Sequence, residues 1–264
     1  MHMKPLRAII LVCVVIGLGA ALWLPRREQV LGSYATGLHG RTKGQRENAL
    51  RAARPIDGFV LDSGKEFSFN KTVGQWTSDR GYVRAPVSYS GELVLDWGGG
   101  VCQTSSTLYN AALVAGMDIV ERHPHTWTPP YVPPGRDAAV AQYTIDLRFR
   151  NPYPWPVRIR AATTGETLGF EIIGRERGPM AAVVVELQSP VEPIEVARTS
   201  ERLSPGQRVT VTRGRPGVRV TVYRTPLRGP QAGRRELVSR DVYPALNRLV
   251  KVGPEGERQV TGDG

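Results

Sequence analysis

Cysteine is almost missing from this 264-residue sequence: only Cys13 and Cys102 occur. No cysteine or carboxylate stands at zinc-motif spacing beside the few histidines, so no metal and no cofactor is expected. Basic-leucine repeats and aromatic RNA-binding motifs are also lacking, and the basic residues are spread along the chain rather than clustered. Nucleic acid is therefore not an expected partner, even though 35 Lys+Arg against 24 Asp+Glu leave a net charge of +11. No segment is a low-complexity tract, and 41% hydrophobic residues suffice for a packed core, which excludes global disorder.

Long apolar runs are scarce too, with one exception. Lys4 and Arg7 precede an apolar stretch from Ala8 to Leu24, and Arg26 and Arg27 follow it. A charged start before an apolar run is an export signal or a signal anchor, and this run approaches bilayer-spanning length. Trp23, Leu24 and Pro25 stand where a small-x-small cleavage site would be, which favours an uncleaved, single-pass anchor in the cytoplasmic membrane over a secreted form. The folded part then lies on the cell-wall side, where a basic chain is drawn to anionic polymers or lipid head groups. Cys13 falls inside the apolar run. That leaves Cys102 without an intrachain partner, kept for reactivity or for pairing between chains.

Glycine (29) and proline (21) are abundant, which points to a strand- and turn-rich chain. Val30–Leu38 reads as a strand and 41–54 as a helix stopped by Pro55. The segment 59–69 reads as extended, with Phe67 and Phe69 on one face, and 82–89 as a strand broken at Pro86. After Gly98-Gly99-Gly100, Leu108, Ala111, Ala112 and Ala115 recur at helical spacing, and Gly116 is placed to end that helix. Strands are expected at 119–122, 143–149, 157–162 and 168–173, with a five-proline loop at 124–136. Beyond about 178 the strands 183–187, 208–212, 218–223 and 237–243 suggest a separate module. The expected architecture is α+β: residues 1–29 a signal anchor or signal peptide, 30–178 a strand-rich catalytic-type domain with a few helices, 179–253 a small elongated all-β module, and 254–264 a disordered tail.

Cys102 opens the helix that follows the glycines. A cysteine reacts as its thiolate, and a helix N-terminus stabilises that anion through unpaired N–H groups and the macrodipole. The same N–H groups can hold the oxyanion of an acyl transfer, while Gly99 and Gly100 permit a tight turn and close substrate approach. Gln103 begins a polar first turn. The bland alternative is a small buried hydrophobe. Proton acceptors are sought in Arg122-His123-Pro124-His125, where either imidazole can serve, and Asp137 can orient one as the third member of a triad. Arg136 can grip a substrate carboxylate, or else pair with Asp137 to pin the loop. Trp97 and Tyr131 can line a groove, or simply pack.

Several of these segments resemble the VanW family. They are Gly99-Gly100-Val101-Cys102-Gln103-Thr104-Ser105-Ser106-Thr107-Leu108-Tyr109-Asn110, Glu121-Arg122-His123-Pro124-His125, Tyr131-Val132-Pro133-Pro134-Gly135-Arg136-Asp137-Ala138 and Asp146-Leu147-Arg148-Phe149-Arg150-Asn151. The likeness runs from about Val30 to Gly174. It implies a cell-envelope protein and, as some members of the family are regarded as peptidoglycan L,D-transpeptidases, a cysteine nucleophile at Cys102. The usual L,D-transpeptidase pattern, with a histidine shortly before the cysteine, is absent; the histidines follow it instead. His125 is thus expected as base, with His123 second. Leu203-Ser204-Pro205-Gly206, Gly214-Arg215-Pro216-Gly217 and Val238-Ser239-Arg240 resemble the five-glycine extracellular domain, which implies glycan binding. Expected partners are peptidoglycan stem peptides and glycan. The rival expectation is a non-catalytic wall-binding protein.

Overall fold

The computed structural model describes residues 28–89, 92–175, 180–188 and 190–254. The apolar leader with Cys13, and the tail from 255, lie outside the described residues, as do the expectations placed on them. Among the described residues no helix is long and apolar enough to cross a membrane.

Among the described residues strand outweighs helix, 41% against 15%. The first domain is built on an antiparallel sheet of order β1-β9-β8-β2, formed by β1 (Gln29–Gly37), β9 (Thr167–Gly174), β8 (Val157–Ala161) and β2 (Val60–Leu61). Helix α3 (Val101–Val114) lies against β1. Its approach needs a residue without a side chain, since a Cβ on Gly32 would come within 2.3 Å of the Ala115 nitrogen. A second sheet joins β3 (Glu66–Ser68), β7 (Arg148–Arg150) and β6 (Asp118–Glu121). Between the layers Phe67 stacks on Phe149 at 4.8 Å, and Phe59 meets Phe67 edge-on at 5.1 Å.

Helix α1 (Lys43–Ala53) begins with a reciprocal cap between Thr42 and Gln45, the terminus that a Thr followed three residues later by Gln favours. The segment 59–69 is less extended than its alternation suggests: Phe69 opens a short helix α2 (Phe69–Val73), although both it and Phe67 are buried. Pro86 does not break its strand. It sits inside β4 (Arg84–Tyr89), which pairs only with β5 (Glu92–Trp97), and a two-stranded ribbon offers a free edge to a residue without an N–H. The strand expected at 143–149 is confined to β7, because 141–145 closes a tight turn in which Tyr143 takes φ 69°.

The C-terminal module consists of two three-stranded sheets, β10-β13-β14 and β11-β15-β12. Their strands are β10 (Ala181–Leu187), β13 (Val218–Pro226), β14 (Glu236–Tyr243), β11 (Glu195–Thr199), β15 (Arg248–Val252) and β12 (Arg208–Thr212). Strands β11 and β15 are additional to the strands expected from the sequence; their pairing is parallel, between chain segments far apart. The module is docked on the first domain. Met180 N–H donates to the carbonyls of Leu31 and Val114, at 3.0 and 3.1 Å, and Arg224 donates to the Met117 carbonyl at 2.5 Å.

Candidate active site

Cys102 is the second residue of α3. Gly100, with φ 111°, is the N-cap, and no side chain caps the helix. The glycines here serve packing. A Cβ on Gly100 would fall 2.2 Å from the Gln45 carbonyl oxygen of α1, and one on Gly99 would fall 2.7 Å from the Ala85 and Pro86 oxygens of β4. They let α1 and the hairpin close over the helix start, and Gly98 and Gly100, at φ 77° and 111°, make the tight turn expected before it.

The polar residues of the first turns are buried and stitch α3 to its neighbours. Ser105 donates to the Ala138 carbonyl at 2.6 Å, Ala138 N–H donates to Ser106 Oγ at 2.9 Å, and Asn110 donates to the Arg136 carbonyl at 2.6 Å. The helix that carries the thiol thus also fixes the backbone on both sides of Asp137. Opposite it, Ala139 N–H donates to the His123 carbonyl at 2.8 Å in an antiparallel bridge. Facing residues in such a pair recede in step, so His125 comes to lie opposite Asp137. The Asp137 Oδ2 atom accepts both the His125 backbone N–H, at 2.6 Å, and its ring Nδ1–H, at 2.7 Å. That leaves Nε2 as the nitrogen free to meet the thiol, and His125 and Cys102 lie close enough for each to stabilise the other's charge.

The result is a line from Cys102 through His125 to Asp137. Burial pushes the thiol's pKa up, but its bond to His125, the imidazolium charge and the Val140 backbone outweigh this and hold it below the usual value. Burial pulls the His125 pKa down, but its bond to Asp137 and its contact with Cys102 prevail and push it up to about 9. Asp137 would be raised by burial; His125 and Arg122 more than compensate and keep it ionised. Both shifts act in the direction of charge, a thiolate beside an imidazolium.

His123 points elsewhere: its Nε2 meets Glu121 Oε1 at 3.1 Å, and its side chain is 43% exposed. It is not on the thiol. A cleft of about 460 Å³ lies beside this pair, lined in part by Asn70, Gln75, Glu121, Tyr143 and Arg148. Cys102 and His125 do not line it; the Val140 carbonyl, two residues before the lining residue Gln142, meets Cys102 Sγ at 3.5 Å.

Two expected substrate-binding residues have other work. Arg136 is 8% exposed; its guanidinium bonds Asn110 and lies 5.4 Å from the centre of the Tyr34 ring. Among the described residues it makes no ion pair with Asp137, which pairs with Arg122 instead, and burial lowers the Arg136 pKa. Gln103 is buried, donating to Thr36 Oγ1 and the Gly37 carbonyl and accepting Arg41 Nε at 2.8 Å. Its amide thus ties the helix start to β1 and to Arg41. Trp97 is 40% exposed at the end of β5, beside Arg84. Tyr131 does lie by the site: Arg41 sits 4.7 Å over its ring, and burial and then the thiol's charge raise its pKa well above normal, keeping it protonated.

Arg41, Arg122, Asp241 and Tyr243 were missed from the sequence. Arg41 is one of many arginines, and only the fold brings it within electrostatic reach of Cys102. Arg122 bonds Asp137 Oδ1 at 3.0 Å and Asp241 at 2.6 Å, and the Tyr243 hydroxyl donates to Asp137. Among the described residues no group of three or more His, Cys, Asp or Glu side chains could hold a metal ion.

Residues 44–173, which contain Cys102, His125 and Asp137, match the family model "VanW like protein", and residues 183–255 match "G5 domain". The chain joins a VanW domain to a G5 domain. The VanW part is 45% identical over 140 residues to the Bacillus subtilis "Uncharacterized protein YoaR", covering 53% of this chain and 46% of that one. It is 30% identical over 110 residues to the "Vancomycin B-type resistance protein VanW" of Enterococcus faecalis, covering 39% and 40%. The chain thus spans less than half the length of these curated relatives. The G5 part is similar to two solved domains. HP0197-G5 is 20% identical, covering 28% of this chain and 97% of that one with a TM-score of 0.18; the IgA1 protease G5 domain is 18% identical, covering 29% and 94% with a TM-score of 0.21.

Proposed function

We propose that this protein is a cell-envelope acyltransferase of the L,D-transpeptidase type, acting on peptidoglycan stem peptides through Cys102. The observation that carries the reading is that Asp137 holds the His125 ring at 2.7 Å beside Cys102, with thiol and imidazole each shifted toward its charged form. A buried, inert cysteine would need neither a shifted imidazole nor an ionised carboxylate behind it.

In the first half-reaction the Cys102 thiolate attacks the carbonyl carbon of a diamino acid residue, forming a C–S bond and a tetrahedral oxyanion. The Val101 and Gln103 N–H groups already donate to the Gly98 and Gly100 carbonyls, at 2.9 and 3.0 Å, whereas the Cys102 N–H has no such partner among the described residues. It is the donor we assign to the oxyanion. As the C–N bond breaks, the His125 imidazolium gives its proton to the departing amine of D-alanine, leaving a thioester and a neutral imidazole. In the second half-reaction the side-chain amine of a neighbouring stem attacks the thioester. His125 takes that amine's proton, an amide forms, and the thiolate returns.

Envelope localisation, with the apolar leader at 8–24 as a membrane anchor, completes the reading, and the G5 domain would keep the enzyme on wall glycan. The test is incubation with tetrapeptide muropeptides, followed by intact-mass analysis and product chromatography. A thioester on Cys102 and a cross-linked dimer are expected, and Cys102→Ala should give neither. Cross-linking that persists in Cys102→Ala would refute the assignment, and trimmed monomers without dimers would mean that water is the acceptor instead.

A further inference from the structure

The G5 domain does more than adjoin the VanW domain, because its strand β14 reaches the far end of the catalytic line. The Asp137 carboxylate has two faces. Oδ2 holds His125, while Oδ1 accepts Arg122 and the Tyr243 hydroxyl. Tyr243 is fully buried, and its oxygen also accepts the Gly135 N–H at 2.8 Å. Gly135, at φ 80°, packs so closely on β13 that a Cβ there would lie 2.7 Å from Val222 Cγ2. Asp241, likewise buried, takes the second arm of Arg122 and is itself bonded by Ser239. The loop that delivers Asp137 is therefore clamped between α3 on one side and β13–β14 on the other.

We infer that Asp241 and Tyr243 are positioning residues of the VanW site, acting through Asp137 on His125, so that the catalytic unit comprises both domains. The inference rests on the Cys102–His125–Asp137 reading for its chemistry but not for its geometry. Two contributions are distinguishable. Asp241 shares the charge of Arg122, so Arg122 does not fully neutralise Asp137, which remains an effective anion toward the imidazolium. Tyr243, held protonated by burial and by the Asp137 charge, donates to that carboxylate and tempers its basicity. The ionisable groups facing this cluster are Cys102, Tyr109 and Arg136 from α3 and the 133–138 loop, Arg122 and His125 from the segment after β6, and Asp241 and Tyr243 from β14. Arg41 and Tyr131 complete the ring on the thiol side.

The two substitutions should therefore shift His125 in opposite directions. Asp241→Asn removes a negative charge and leaves Arg122 to Asp137 alone, so the imidazolium loses support and its pKa should fall by roughly half a unit or more. Tyr243→Phe removes a neutral donor from Asp137, which then binds the imidazolium proton more strongly, so the pKa should rise by a smaller amount. Full-length protein with isotope-labelled histidine, titrated by NMR and assigned with a His125→Gln sample, reads both shifts directly. Circular dichroism melts confirm that each variant is folded. Opposite shifts support the inference. Folded variants that titrate like the parent, or that shift together in one direction, overturn it. The muropeptide assay is separate: absent cross-linking with opposite shifts would sink the transferase reading and keep the positioning, and the converse pattern would do the reverse.

Discussion

Replacing Asp137 with Asn removes one negative charge from a site where four hydrogen bonds converge. Two come from His125, one from the Arg122 guanidinium and one from the Tyr243 hydroxyl. Asn keeps the shape but can accept at only one end, and its amide nitrogen would meet a donor at the other. The imidazolium loses its main support, so the His125 pKa should fall from about 9 back toward its ordinary value near 6.5. At pH 7.5 that takes the protonated fraction from about 97% to about 9%, a tenfold loss of the acid that expels the amine. A mis-set tautomer adds to this, and in a related arrangement the full effect reaches about 10⁴-fold. Stability responds in the same direction. Because the folded pKa of His125 is raised, its contribution is complete below about pH 6.5 and is lost as pH rises through about 9. The wild type should therefore melt lower across that window, and Asp137→Asn should flatten the slope while lowering the plateau by about 3–5 kcal/mol, the usual cost of breaking a buried ion pair. Thioester formation under single-turnover conditions and thermal melts from pH 5.5 to 9.5 read the two effects. A variant that acylates at the wild-type rate and keeps the wild-type pH slope would refute the reasoning.

Three further outcomes are expected. His123→Gln should leave the rate of Cys102 alkylation within about twofold, because His123 pairs with Glu121 on an exposed surface, where such pairs contribute about 1 kcal/mol or less; the alkylated Cys102 peptide, quantified by mass spectrometry, separates it from Cys13. Arg41→Gln should slow that alkylation several-fold below pH 7 by removing a cation from beside the thiolate, and a rate unchanged across the acid range would exclude the role. Gly100→Ala should destabilise the fold by more than about 2 kcal/mol, since the methyl group meets the Gln45 carbonyl and the backbone is at positive φ; a melting temperature like the parent's would show that α1 can move away.

Much of this protein is local and was therefore legible. The helical spacing after Gly100, the strands at the two ends of the first domain and the Gly-Pro turns of the second depend on residues close together in the chain. A lone cysteine at the start of that helix, followed by two histidines and an aspartate, also named the members of the line. What sequence left open was which histidine faces the thiol; the pairing of 123 with 139 sets His125 opposite Asp137, whose carboxylate holds its ring beside Cys102, while His123 pairs with Glu121. Sequence also did not show that Arg136 packs on Asn110 and Tyr34 or that Gln103 bonds Arg41, because such contacts depend on what folds over them. The contribution of β14 had no local signal at all: Arg122 and Asp241 lie 119 residues apart, and Asp137 and Tyr243 lie 106 apart. Spacing in the chain records which side chains share an element, whereas the partners of a buried charge are chosen by long-range packing, and only the tertiary structure fixes those.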